Sequence, residues 1–148
     1  MKRLIFLLLA VLLLSCGEAQ LPDPAVLYEQ IATDVELDEM YDLADEMLED
    51  TLGITKDLYD SAVYMTPGTG ISPEELIIIK TISDESAKKV EELLNNRLDY
   101  IKKSAENYLI EEMPIIERAM IRRDGLTVSF IVSARSEEIE AVFDRLIK

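Results

Sequence analysis

Apolar positions divide the chain into alternating helix-like and strand-like stretches. Leu4 to Leu14 is an uninterrupted apolar run. Ala25 to Ala32, with Val26, Leu27 and Ile31 apolar, fits a short helix. From Asp34 to Leu52 the residues Leu37, Met40, Tyr41, Ala44, Met47 and Leu48 recur at three- and four-residue steps. That spacing predicts one helix, with Gly53 placed to end it. Leu58 to Met65 and Leu76 to Ile82 read as strands on either side of Thr66-Pro67-Gly68-Thr69-Gly70. The consecutive β-branched Ile77, Ile78 and Ile79 suit a strand buried on both faces.

Ser83-Asp84-Glu85 supplies a capping side chain and first-turn acids. On the long helix that follows, Val90, Leu94, Arg97, Leu98, Ile101, Ala105 and Tyr108 share one side, and Pro114 blocks continuation. Ile116 to Arg122 and Leu126 to Ser133 read as strands around Asp124-Gly125, a two-residue hairpin signal. Leu126, Val128, Phe130 and Val132 alternate with Thr127, Ser129, Ile131 and Ser133, so one face of the second strand is expected to be buried. Ser136 caps a last helix with Ile139, Val142, Phe143, Leu146 and Ile147 on one stripe.

The expected fold is α+β: a four-stranded, mainly antiparallel sheet of two hairpins. The long helix and the C-terminal helix pack on one face, and an acidic helix is added at the N-terminal side. At 148 residues, one domain over residues 25–148 is the natural reading.

The first apolar run changes the picture of location. As a helix its 11 residues span about 16 Å, short of the roughly 30 Å hydrocarbon core. Met1-Lys2-Arg3 before it and Ser15 after it fit a signal peptide over residues 1–15. Leu13-Leu14-Ser15-Cys16 resembles the bacterial lipobox, in which the Cys is alkylated by a diacylglyceryl group and the chain is cut before it. Ser15 is small enough for a tight cleavage pocket, and a thiol is a strong nucleophile for alkylation. Cys16 is the only Cys in the chain. Residues 16–24 then form a lipidated tether, and the partner this implies is membrane lipid, reached through acylated Cys16. The location implied is the extracytoplasmic side of the cell membrane.

Charge and composition narrow the chemistry. There are 15 Lys and Arg against 30 Asp and Glu, and no His. Nucleic acid is a poor partner for such a balance. A Ser-His-Asp triad, a His-ligated zinc site and an internal disulfide are all excluded. The negative body is expected to stand off an anionic lipid surface rather than lie flat on it.

The mature part, from about Leu27 onward, resembles a family of bacterial lipoproteins known as domain of unknown function 4358. The residues carrying the resemblance are Glu74-Glu75-Leu76-Ile77-Ile78-Ile79, Arg97 midway along the long helix, Tyr108 near its end, and Gly125-Leu126-Thr127-Val128. The resemblance implies an envelope location, chiefly Gram-positive, and no assigned reaction.

Four constellations carry possible chemistry. Nine acids lie between Asp34 and Asp50, with Asp38, Asp42, Asp45 and Glu49 at helical spacing. A cation-binding or basic-partner surface competes with a plain solvated face, and the calcium-loop pattern is absent. The Thr66–Gly70 loop lacks the phosphate-loop Lys and reads as a hairpin turn. Arg97, on an apolar helix side, needs a carboxylate; Glu75, or failing that Glu74, at the head of the Ile-rich strand is the expected partner. That pair is either structural or ligand-facing. Lys102, Lys103, Arg118, Arg122 and Arg123 form either one basic patch or scattered surface charge. No catalytic residue, metal ligand or cofactor is assigned. The expected function is a membrane-tethered binding or accessory module contacting an envelope protein. The alternative is a carboxylate-based, metal-dependent envelope enzyme.

Overall fold

The computed structural model describes residues 20–43, 45–68, 72–108 and 110–147. Elements follow in the order α1 (Pro24–Asp34), β1 (Met40–Asp42), α2 (Asp45–Leu52), β2 (Tyr59–Pro67), β3 (Glu75–Thr81), α3 (Asp84–Tyr108), α4 (Met113–Glu117), β4 (Met120–Asp124), β5 (Thr127–Val132) and α5 (Ser136–Leu146). The fold is α+β, and its sheet has five strands in the order β1-β2-β3-β5-β4, every neighbouring pair antiparallel. The fifth strand, β1, lies inside the stretch expected to be the acidic helix.

Packing explains why that helix does not form. Val35 belongs to the apolar core under α1 and α5, with Leu37 and Met40 against it. Leu48 and Leu52 belong to the core under α3. The two cores lie on opposite faces of the sheet. One straight helix presents its apolar stripe to one side only. The chain therefore ends α1 at Asp34, rounds the sheet edge as β1, and restarts as α2. Gly53, at φ 69°, takes the chain out of α2, its N–H donating to the Glu49 carbonyl at 2.8 Å.

The helices also do not share one face. Strand alternation sends Ile77, Ile79, Val128, Phe130 and Val132 toward α3, and Leu76, Ile78 and Ile131 toward α1 and α5. The cause is the strand order: β3 and β5 pair with each other at the centre, so both of their faces need cover. For β5 this corrects the expectation of one buried face, since all six of its residues are buried. The stretch expected as a strand from Ile116 begins as α4. Ile116 is fully buried in the α3-side core, and Pro114 occupies the first turn, where a missing N–H is harmless.

The N-terminal approach is packed as well. Leu21 is buried at the edge of the core under α1 and α5. The Asp23 side chain caps α1 by accepting from the Ala25 N–H at 3.2 Å and from the Ser61 hydroxyl at 2.7 Å. Among the described residues no helix is long and apolar enough to cross a membrane.

Candidate functional site

Arg97 stands one turn from Leu94 and from Ile101, both buried, so its stem enters the α3-side core. Across the gap, Glu75 opens β3 on the same face as Ile77 and Ile79. The guanidinium meets this carboxylate with two bonds: Nε donates to Oε2 at 3.2 Å, and Nη2 donates to Oε1. Their side chains are 18% and 8% exposed, so the pair is largely removed from water. The structure thus brings together two of the three residues singled out for this site.

The third, Glu74, cannot join them, because successive strand residues point to opposite faces. Its Oε1 accepts from the Ser133 hydroxyl at 2.9 Å and the Ala134 N–H at 2.8 Å. Glu74 borders a separate cleft of about 480 Å³ with Glu36, Asp38, Glu112 and Arg135 on its rim. Among the described residues no three carboxylates converge as metal ligands.

Two tyrosines complete the Arg97 cluster, and neither was singled out from the sequence. Tyr64 faces this pair, and its pKa is pushed up to about 12, by burial first and by the Glu75 charge second. For Arg97, burial works to lower the pKa, but the hydrogen bonds and charge of Glu75 more than offset it, and the guanidinium is held above its ordinary value. The Tyr100 ring lies 5.5 Å from the guanidinium carbon and is itself 63% exposed. Tyr100 was within reach of helical spacing, three residues after Arg97. Tyr64 was not, because its place depends on the β2–β3 register, which sets it opposite Ile77. A cleft of about 340 Å³ opens beside the pair, lined by Thr51, Leu52, Leu93, Asn96, Arg97 and Tyr100.

The basic residues near the last hairpin do not form one patch. Arg122 turns toward α5, donating to Asp124 at 2.6 and 3.0 Å and to Asp144 at 3.1 Å, and stacks 4.8 Å from the Phe143 ring centre. Arg123 turns toward α3, pairing with Asp84 and with Glu91 at 3.4 Å. Ser15 and Cys16 lie outside the described residues.

A family model described as "Domain of unknown function (DUF4358)" matches residues 33–133 of this chain. The chain belongs to this family. The DUF4358 match runs from the end of α1 through β5 and so contains the whole Arg97–Glu75–Tyr64–Tyr100 cluster, whereas α5 and nearly all of α1 lie outside it. No curated protein and no solved structure matches the chain.

Proposed function

We propose that this DUF4358 protein is a lipid-anchored lipoprotein on the extracytoplasmic side of the cell membrane. Its domain serves as a non-catalytic binding or accessory module of the envelope. The observation that carries this reading is Leu13-Leu14-Ser15-Cys16 closing a short apolar run behind a cationic start. Two further features support it. The chain has no His, and its only Cys is the one the anchor takes. The Arg97 cluster is made of groups that satisfy one another, with Tyr100 left exposed beside a shallow cleft, which suits contact with an envelope protein more than turnover.

Two acyl chains on Cys16 suffice for stable attachment, since each buried CH₂ contributes ~0.8 kcal/mol and a single chain binds only marginally. Palmitate labelling with mass analysis of the mature N-terminus tests the reading. The wild-type protein should take up label and begin at Cys16; Cys16→Ser should take up none and remain uncut at that bond. Absence of label on the wild-type protein would overturn the proposal.

A further inference from the structure

Gln20 and Leu21 form one wall of a cleft of about 710 Å³ at the end of the sheet where β3 finishes and β5 begins. Lys80, Leu126, Thr127 and Ile147 supply much of the rest. Strand alternation puts Lys80 on the α1 and α5 side, at the end of the row that contains Leu76 and Ile78. Among the described residues it has no carboxylate in ion-pair range, unlike the other charges in the lining. Asp84 is held by Lys88 at 3.0 Å and by Arg123, and Asp124 is held by Arg122 at 2.6 Å. A chain of net charge −15 thus presents in this cleft, among the described residues, a cation without a paired carboxylate beside three apolar side chains, Leu21, Leu126 and Ile147. The same end of the molecule exposes Ile82 (51%) and Leu126 (38%), brought side by side by the Thr81 N–H donating to the Leu126 carbonyl at 2.9 Å.

Position decides what such a cleft meets. Gln20 follows Cys16 by four residues, which span at most about 14 Å when extended. If Cys16 is acylated, the mouth of the cleft lies within headgroup reach of the leaflet holding the anchor. We propose that this end of the domain docks on that leaflet and that the cleft takes a phospholipid headgroup. The phosphate sits on the Lys80 ammonium, and Leu21, Leu126 and Ile147 lie against the glycerol and the first methylenes. The inference rests on the lipid-anchor reading. It refines the expectation of a body that stands off the membrane: at this end the acids of the cleft, Asp84 and Asp124, are each paired with a base, and this end makes the contact.

The test uses the full, lipidated chain reconstituted in phosphatidylethanolamine–phosphatidylglycerol vesicles that contain a headgroup-labelled quencher lipid. Cys16 is blocked by its lipid, so Ile82→Cys and, as a distant control on α3, Tyr100→Cys each supply one free thiol for a fluorophore. The Ile82 probe should be quenched several-fold more than the Tyr100 probe. Lys80→Glu should lower that quenching at least about fivefold, the scale expected from losing one basic side chain at an anionic surface, and Leu126→Glu should also lower it, both with unchanged melting. Equal quenching at both probes in anchored protein overturns the docking while leaving the anchor in place. Quenching that Lys80→Glu and Leu126→Glu do not change overturns the cleft as the contact. Protein that takes no palmitate and does not partition into the vesicles overturns the anchor reading beneath both.

Discussion

Arg97 puts a permanent charge on the apolar side of a long helix, and a single carboxylate makes that tolerable. Truncating it in Arg97→Met leaves Glu75, 8% exposed, without a counter-ion. The expected loss is ~3–5 kcal/mol in denaturant unfolding. Glu75→Gln in the same background should restore part of it, because the orphaned charge is gone; strictly additive losses would show that the two side chains do not interact. Tyr64 reports on the same cluster from the alkaline side. Its folded pKa of about 12 lies above the ordinary 10.0, so its stabilising contribution is complete below pH 10 and fades as the pH rises toward 12. In an ultraviolet titration of the phenolates, Tyr64 should ionise about two pH units late, and Tyr64→Phe should remove its share of the late absorbance while leaving that of Tyr28, whose pKa burial also raises. The Arg97–Glu75 pairing was legible because helical spacing placed Arg97 among core residues and a carboxylate stood at the head of the adjacent strand. Tyr64 was illegible because it reaches Glu75 only through the register of two strands.

Elements set by local signals were readable from sequence. The Ile77–Ile79 run and the Asp124-Gly125 turn stand where the pattern puts them, whereas Ser136 is the first residue of α5 rather than its cap: Arg135 holds the cap position, and its N–H donates to the Ser133 hydroxyl at 3.0 Å. What was not readable depends on contacts distant in sequence. The three-and-four spacing after Asp34 is real, but its apolar residues are divided between two cores, and a helical period cannot reveal that. Likewise, neither hairpin signals that β3 and β5 pair, although this pairing is what sends helices to both faces. The division has a measurable consequence. Leu94 on α3 and Ile139 on α5 are fully buried on opposite sides of the sheet. Leu94→Ala should cost ~2–5 kcal/mol and Ile139→Val ~0.5–1.5 kcal/mol. In the double variant the two costs should add to within about 0.5 kcal/mol, because the residues share no partner. Strong coupling in urea unfolding would mean that the two layers behave as one core.

For the whole molecule the governing imbalance is electrostatic. Thirty acids face fifteen bases, and among the described residues Lys88, Lys89, Arg97, Arg122, Arg123, Arg135 and Arg145 each hold at least one carboxylate. Exposed acids such as Glu36, Asp38, Glu39, Glu49 and Asp50 crowd the segment that rounds the β1 edge. Salt acts on both populations in opposite senses. It weakens exposed pairs such as Arg135–Glu138, but each of these is worth only ~0–1 kcal/mol, so little is lost. It also shortens the reach of repulsion among the surplus acids, from about 30 Å at 0.01 M to about 10 Å at 0.1 M. The Arg97–Glu75 pair, being buried, is screened least. Repulsion spread over a domain of this charge should therefore outweigh the exposed pairs, and the melting temperature should rise as sodium chloride is added across that range. Glu36→Gln with Glu39→Gln should raise the melting temperature at low salt and flatten the salt response. A melting temperature that falls with salt would mean that the exposed ion pairs, not the surplus acids, set the electrostatic balance of the fold.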